Sequence, residues 1–211
     1  MSAPAAADLG FIHRFEPAAN PAAPPILLLH GTGGDESDLI PIGRMIAPES
    51  ALLSPRGKVL EEGMARFFRR LSEGVFDQAD LEFRTAELER FIERAAAAYN
   101  IDKLRLLALG FSNGANIAAS LLLRSPHALA GGILIRGMLP FQPAQLPDLH
   151  GRHILLLNGD HDPIVPRTQP QQLAALFRTG GAQVTLEWQP AGHALTQRDI
   201  AVAAAWLRTL A

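Results

Sequence analysis

The stretch LALGFSNGANIA places one serine between two glycines, at Gly110, Ser112 and Gly114, where an apolar run gives way to small, helix-forming residues. The pattern G-x-S-x-G is typical of a sharp turn from a strand into a helix, which strains the serine backbone and raises its hydroxyl above the sheet. The pattern alone is weakly specific, because glycine and serine are common residues. Its position between a buried strand and a helix favours a nucleophilic Ser112 over a turn that serves packing alone.

A serine hydroxyl becomes a good nucleophile only when a base takes its proton and a carboxylate orients that base. In a chain of alternating strands and helices, the expected order is serine, then aspartate or glutamate, then histidine. That order is met, because NGDHDPIVP follows one apolar run and PAGHALT follows the last predicted strand. Among the seven histidines, His193 has the position expected of the base, whereas His30 is predicted to brace the glycine loop.

Two aspartates compete for the role of the orienting carboxylate. Asp160 directly follows the strand HILLLNG, while Asp162 precedes Pro163 on a loop that can curl toward the last histidine. An aspartate at such a turn can also serve only to accept hydrogen bonds from backbone N–H groups. The residues alone favour Asp162 by a small margin.

The glycine loop HGTGGDE, residues 30–36, follows the first buried strand. An acyl-transfer site needs two N–H groups that stabilise an oxyanion. One is expected from Asn113, the residue after the serine, and the other from Thr32 in this loop. A phosphate-binding loop is disfavoured because the ending G-K-[ST] is absent, and a plain tight turn is the remaining alternative.

Metal chemistry has little support in the sequence. Asp160, His161, Asp162 and His193 follow predicted strands, but the spacings H-x-x-x-H and H-E-x-x-H of zinc sites are missing. We therefore expect no metal. The chain has no cysteine, which excludes disulfides, thiolate ligands and a thiol nucleophile.

Alternating apolar runs and amphipathic segments must position these residues. The predicted strands of the core are ILLLHG, ALLSPRG, LRLLALG, GGILIRGM, HILLLNG and VTLEWQ, with helices between them and a final helix capped by Thr196. Such a chain forms a mostly parallel sheet covered on both faces, which is a three-layer α/β/α sandwich of the α/β class. We predict a single domain over residues 1–211, in which residues 1–25 form a loose N-terminal segment plus an edge strand and residues 58–80 are irregular.

Composition excludes several classes of partner. The 211 residues carry a net charge of −2 and no block of lysine or arginine, so neither nucleic acid nor an anionic membrane is expected as a partner. No apolar run approaches the roughly 18 residues of a membrane span. The N-terminus MSAPAAADLG lacks the basic region of a signal peptide, and we expect a cytoplasmic protein.

With these residues in hand, the sequence resembles the α/β-hydrolase superfamily, within its phospholipase/carboxylesterase group of acyl-protein-thioesterase-like enzymes. The resemblance spans nearly the whole chain, through LLLHGTGGDESDL, LSPRG, FFRRL, GFSNGANIA, GGILIRGMLP, NGDHDPIVP and AGH. The nearest subgroup is that of the small bacterial carboxylesterases, which includes hydroquinone-operon hydrolases. One departure is the turn GFSNG, where the thioesterases proper carry GFSQG, so their palmitoyl-protein specificity is not carried over.

The resemblance implies roles for the candidate residues. Ser112 is the expected nucleophile, His193 the base and Asp162 the acid, while Thr32 and Asn113 supply the oxyanion N–H groups. It also implies an α/β-hydrolase fold without a large lid, no metal or organic cofactor, and a homodimer as an expected assembly. The expected activity is that of a serine carboxylesterase, which hydrolyses small acyl or aryl esters through an acyl-enzyme. A thioesterase or lysophospholipase is the alternative in the same class, and a catalytically silent hydrolase-like binding protein is the alternative in another.

Two segments, residues 58–80 and 136–141, follow strand ends and are expected to overhang the serine. Their apolar residues Phe67, Phe68, Met138 and Leu139 are the predicted substrate contacts. Since arginines flank the two phenylalanines, we expect a partly exposed apolar wall that suits short or aromatic esters. The alternative is that these side chains only fill the core.

Overall fold

A central sheet organises the chain, and the computed structural model describes residues 9–210. The strands of this described part are β1 (His13–Glu16), β2 (Ile26–Leu29), β3 (Leu52–Pro55), β4 (Val59–Glu61), β5 (Met64–Arg66), β6 (Arg70–Ser72), β7 (Val75–Phe76), β8 (Leu107–Phe111), β9 (Gly131–Ile135), β10 (His153–Gly159) and β11 (Gln183–Gln189). Seven of them form one sheet in the order β1-β3-β2-β8-β9-β10-β11. Only β1 pairs antiparallel with its neighbour in that sheet, so the predicted mostly parallel sheet is confirmed.

Helices cover the sheet on both faces. Within the described residues they are α1 (Ile40–Ile46), α2 (Gln78–Tyr99), α3 (Asn113–Arg124), α4 (Thr168–Thr179) and α5 (Gln197–Arg208). Residues of α2, α3 and α4 share one buried apolar cluster with Leu27 and Leu29, while those of α1 and α5 share another with Ile26 and Leu28. Because successive side chains of a strand point to opposite faces, β2 contributes to both clusters and is buried along its whole length. The predicted three-layer sandwich is confirmed.

The sheet topology brings four loops to one edge. The glycine loop follows β2, the serine turn follows β8, the aspartate loop follows β10 and the histidine loop follows β11. These four strands run parallel to one another, so their carboxyl ends lie at the same edge, which is where ligands bind in open α/β sheets. The final helix begins as predicted, because Thr196 and Asp199 form a reciprocal capping box at the start of α5.

Residues 59–76 differ from the irregular structure that the sequence predicts. They form two antiparallel hairpins, β4 with β5 and β6 with β7. Each hairpin turns through a glycine with positive φ, Gly63 at 80° and Gly74 at 74°, a backbone conformation that glycine adopts without strain. The hairpins lie at the same edge of the sheet as the serine turn and contribute to the cleft beside it.

At the N-terminus, β1 lies at the edge of the sheet, as predicted for residues 11–15. Residues 1–8 of the predicted loose segment lie outside the described residues. Among the helices of residues 9–210, none combines the length and the apolar character that crossing a bilayer requires.

Candidate active site

Ser112 lies at the junction between β8 and α3 in a strained backbone conformation. Its φ is 52° and its ψ is −112°, a combination that residues with a side chain rarely adopt. The junction is held by the Ser112 N–H, which donates to the Ile135 carbonyl at 2.9 Å. The strained turn that the G-x-S-x-G spacing predicts is therefore present.

Both flanking glycines are required by close approach of the backbone. A Cβ atom at Gly114 would lie 1.9 Å from the Leu29 carbonyl oxygen, and one at Gly110 would lie 2.6 Å from the Gly114 carbonyl oxygen. Real Cβ atoms do not approach other atoms so closely, so α3 packs against β2 and β8 at a distance that only glycine permits. The G-x-S-x-G spacing in the sequence is therefore a consequence of this packing.

A continuous chain of hydrogen bonds joins Ser112, His193 and Asp162. The His193 Nε2 atom lies 2.9 Å from the Ser112 Oγ atom, and its Nδ1 atom lies 2.8 Å from the Asp162 Oδ2 atom. The Asp162 side chain is 1% exposed and that of His193 is 20% exposed. The other Asp162 oxygen accepts hydrogen bonds from the N–H groups of Ile164 and Val165, which hold the carboxylate in one orientation.

Asp160, the competing aspartate, points elsewhere. Its carboxylate forms an ion pair with Arg167, whose guanidinium lies 4.0 Å from the centroid of the Trp188 ring. The loop therefore separates its two aspartates, one on His193 and one at the surface. The geometry favours Asp162, which is also the preference drawn from the sequence.

Thr32 and Asn113 are the residues predicted to supply the oxyanion N–H groups. Both residues line the same cleft as the serine, and neither N–H donates a hydrogen bond to any atom of residues 9–210. Asn113 is the first residue of α3, so its N–H lies at the positive end of that helix. The side chain of Asn113 makes a separate contact, in which its Oδ1 accepts from the Phe67 N–H at 2.7 Å.

His30 braces the glycine loop, as predicted. Its Nε2 lies 2.9 Å from the Gly57 N–H and its Nδ1 lies 2.6 Å from the Gly31 carbonyl oxygen. Because a backbone N–H can only donate, Nε2 is the acceptor and the ring proton resides on Nδ1, which donates to Gly31. Burial lowers the pKa of His30 below its ordinary value, which favours this neutral ring.

Arg136 clamps the histidine loop, a role that no motif in the sequence predicts. Its Nε donates to the Gly192 carbonyl at 3.0 Å and its Nη2 to the Ala194 carbonyl at 3.3 Å, so it holds both neighbours of His193. The same guanidinium forms a two-pronged ion pair with Asp199 at 3.0 and 2.8 Å, and both side chains are 0% exposed. The available signal was a single arginine inside the otherwise apolar run GGILIRGM.

The predicted apolar wall is wrong at both phenylalanines. Phe67 is 2% exposed and Phe68 is 0% exposed, because Phe67 packs on the His30 ring and Phe68 packs edge-on against Phe76. Neither lines the cleft beside Ser112. The arginine before them, Arg66, turns inward instead and is 4% exposed.

The other two predicted contacts divide between the cleft and the core. Met138 lines the cleft, and its N–H donates to the Asn116 side chain at 2.7 Å. Leu139 is half-buried and packs against the apolar core instead of lining the cleft. Of the four predicted substrate contacts, only Met138 therefore reaches the cleft.

The cleft at Ser112, called the serine cleft below, is compact, with a cavity volume of about 190 Å³. Apolar side chains of Phe111, Met138 and Ile164 form part of its wall, and Arg66 and Arg70 form another part. A larger cavity of about 870 Å³ lies at the amino ends of the strands and contains none of the candidate residues. In the described part of the chain, no group of three or more His, Cys, Asp or Glu side chains is arranged to hold a metal ion.

The sheet is mostly parallel and carries a strained serine at a strand–helix turn, and the aspartate and the histidine follow later strands. This arrangement defines an α/β-hydrolase. The chain belongs to the Phospholipase/Carboxylesterase family, which it matches over residues 12–211. The Bacillus subtilis (strain 168) protein MhqD, named as a hydrolase, is 46% identical over 183 residues, which cover 87% of this chain and 92% of MhqD.

Solved structures agree with this assignment. The crystal structure of the Bacillus cereus carboxylesterase is similar at a TM-score of 0.92 and 43% identity, with 94% of each chain covered. The carboxylesterase from Mesorhizobium loti is similar at a TM-score of 0.90 and 32% identity, with 96% of each chain covered. The chain is therefore an enzyme that acts on ester bonds.

Proposed function

We propose that the protein is a serine carboxylesterase in which Ser112 is the nucleophile, His193 the base and Asp162 the orienting acid. The observation that carries the proposal is the chain of hydrogen bonds from the Asp162 carboxylate through His193 to the Ser112 hydroxyl, at 2.8 and 2.9 Å. These separations match those that proton transfer in such a triad requires.

In the proposed reaction, the Ser112 Oγ atom attacks the ester carbonyl carbon while His193 Nε2 takes the hydroxyl proton. The negative charge that develops on the carbonyl oxygen is stabilised by the N–H groups of Thr32 and Asn113. His193 then gives its proton to the departing alcohol, which leaves an acyl-enzyme on Ser112. Water, deprotonated by the same imidazole, hydrolyses that acyl-enzyme. Asp162 holds the Nδ1–H throughout and stabilises the imidazolium.

The size of the serine cleft supports small substrates. Its volume of about 190 Å³ lies below the roughly 300–1,000 Å³ of pockets that enclose drug-sized ligands. We therefore propose short acyl or aryl esters as substrates. If kcat/KM along a series of p-nitrophenyl esters is highest for palmitate, the proposal of a small-ester substrate is wrong and a long-chain acyl hydrolase takes its place.

The decisive experiment is labelling with a fluorophosphonate, followed by peptide mass analysis. We expect one adduct, at Ser112, and Ser112→Ala should lose both the adduct and ester hydrolysis, with kcat falling by about 10⁴–10⁶-fold. Ser125→Ala is the matched control, since Ser125 ends α3 and its hydroxyl donates to Glu89. An adduct at another serine would reassign the nucleophile to that residue, whereas an unreactive wild type would support a silent binding protein.

Three further properties stay predictions that rest on the sequence or on the resemblance. They are a cytoplasmic location, a homodimer, and the organisation of residues 1–211 as a single domain. We propose that the enzyme acts on a small-molecule ester, without nucleic acid and without membrane insertion.

A further inference from the structure

Two arginines share one carboxylate on the wall of the serine cleft. The Arg66 Nε atom lies 3.1 Å from one Glu61 oxygen, and the Arg70 Nε atom lies 2.8 Å from the other. Both arginines line the cleft. Since one carboxylate balances only one of the two cations, this wall carries one uncompensated positive charge.

Arg66 is built into the cleft instead of lying on the surface. Its side chain is 5% exposed, and its Nη1 donates to the Thr32 hydroxyl at 2.7 Å while its Nε donates to the Phe68 carbonyl at 3.2 Å. Burial and the neighbouring Arg70 lower the pKa of Arg66, but an arginine side chain stays protonated in proteins. Within residues 9–210 its Nη2 makes no hydrogen bond, so Arg66 keeps one donor without a partner in the fold.

The remaining charge at the cleft is Glu73, which is exposed on the turn of the second hairpin. Water screens an exposed carboxylate far more than it screens a buried guanidinium, so Glu73 only partly offsets the positive wall. The other wall, of Phe111, Met138 and Ile164, carries no charge. A substrate in this cleft therefore meets an apolar side and a cationic side at the same time.

We propose that the natural substrates are short esters that carry a carboxylate, which Arg66 binds with the support of Arg70 while Ser112 attacks the ester carbonyl. This inference rests on the function proposed above. The cavity volume of about 190 Å³ equals that of about six liquid water molecules. This space suits a half-ester of a small dicarboxylic acid and is too small for a lipid headgroup with its acyl chain.

The reaction needs no co-reactant other than water. The oxygen of water becomes bonded to the acyl carbon, the carbon–oxygen bond to the alcohol breaks, and the alcohol leaves with one proton. The new carboxylic acid ionises at neutral pH and releases one proton per turnover. Initial rates can therefore be followed in a pH-stat for esters that carry no chromophore.

The test compares each anionic ester with a neutral isostere. Monomethyl glutarate carries the carboxylate on the acyl side, and its neutral partner is methyl 4-carbamoylbutanoate. O-Butanoylglycolate carries the carboxylate on the alcohol side, and its partner is O-butanoylglycolamide. For at least one pair, we expect wild-type kcat/KM to favour the anion by about ten- to a hundredfold, as a charge-assisted contact to a desolvated guanidinium predicts.

Variants identify the residue that is responsible. In Arg66→Gln the preference should fall to about onefold, through a higher KM for the anion, and in Arg70→Gln it should fall by a smaller factor. Arg69→Gln is the matched control, because Arg69 is exposed and pairs with Asp77 away from the cleft. If Arg66 served only to hold Thr32, Arg66→Gln would lower kcat for both members of a pair equally, and that result would overturn the inference. Should Arg66→Gln fail to fold, Arg70→Gln still tests the shared positive charge.

The outcomes separate this inference from the proposed function. Equal kcat/KM within both pairs overturns the carboxylate preference while leaving an active serine esterase. A wild type that hydrolyses none of the four esters, yet forms the fluorophosphonate adduct at Ser112, also overturns the substrate class. Only a wild type that forms no such adduct overturns the proposed function itself.

Discussion

Replacing Arg136 with methionine separates two roles that one guanidinium performs. Arg136 neutralises Asp199 in a fully buried ion pair, and it also donates to the carbonyls of Gly192 and Ala194 on either side of His193. The first role concerns the stability of the fold and the second the position of the proposed base. The single variant Arg136→Met removes both roles and leaves the Asp199 carboxylate uncompensated. The double variant Arg136→Met with Asp199→Asn also removes both roles but leaves no buried charge.

The expected loss of stability follows from the surroundings of Asp199. Breaking a buried ion pair costs about 3–5 kcal/mol because the remaining charge is left uncompensated. Asp199 keeps hydrogen bonds from the Thr196 N–H and hydroxyl, at 2.9 and 2.8 Å, so we expect about 3 kcal/mol, the lower end of that range. Natural domains have a free energy of unfolding of only about 5–15 kcal/mol, so the single variant should fold but be clearly weakened.

The expected loss of activity follows from the histidine loop. Without the bonds to Gly192 and Ala194, His193 is free to shift relative to Ser112. A displacement of about 1 Å at such a site costs about 100-fold in rate. Since the double variant restores neither bond, we expect its kcat to stay low. Its free energy of unfolding should recover by about half of the loss, because no uncompensated buried charge remains.

Urea unfolding followed by tryptophan fluorescence measures the stability, and initial rates on a short ester measure kcat. Arg152→Met is the matched control, because Arg152 also donates to a backbone carbonyl, that of Pro126, at a point outside the serine cleft. It should cost about 1 kcal/mol and leave kcat unchanged. If the double variant regains kcat, the clamp on the histidine loop is not what positions His193. If its stability does not recover, the uncompensated carboxylate is not the source of the loss.

Two further predictions concern the aspartate loop and the glycine loop. Asp162→Asn should lower kcat by about 10⁴-fold, because the amide no longer stabilises the imidazolium or the required tautomer. Asp160→Asn should leave kcat near the wild-type value. If the two variants rank in the opposite order, Asp160 is the acid. Burial lowers the pKa of His30 below 6.5, so below that pH the unfolded chain binds a proton that the folded chain excludes. Stability is therefore fully retained above pH 6.5 and falls as the pH decreases from there toward the lower folded-state pKa. Urea unfolding between about pH 8 and pH 5 should show this slope in the wild type and lose it in His30→Gln, and an equal slope in both would contradict the neutral assignment.

The sheet could be predicted because its strands are buried on both faces. A parallel strand between two layers of helices is apolar at every position, as in ILLL of β2, and such runs stand out in a sequence. The hairpins of residues 59–76 could not be predicted in the same way. Their strands are two or three residues long with exposed positions, which is too short for an alternating pattern to be distinguished from a loop.

Some residues of the candidate site could likewise be predicted from the sequence, and others could not. Ser112 could be predicted because close packing requires glycine on both sides of it, and this requirement produces the local pattern G-x-S-x-G. The burial of Phe67 could not, because Phe67 packs on the ring of His30, a residue far away along the chain. The burial of Arg66 and Arg136 could not be predicted either, because arginine is exposed in most proteins and only the fold brings Glu61 and Asp199 to them.

Residues at the end of β9 contact both the serine turn and the histidine loop, although no sequence motif indicates this. The Ile135 carbonyl accepts from the Ser112 N–H, and the next residue, Arg136, donates its own N–H to Leu157 of β10. The Arg136 backbone has a φ of 56°, a strained conformation that costs about 1–3 kcal/mol and persists only where the surroundings enforce it. Here the ion pair with Asp199 and the bonds to the histidine loop enforce it. We infer that this strain is accepted because Arg136 joins the strand end beside the serine turn to the histidine loop, in addition to the contacts that Ser112 and Phe111 make with His193.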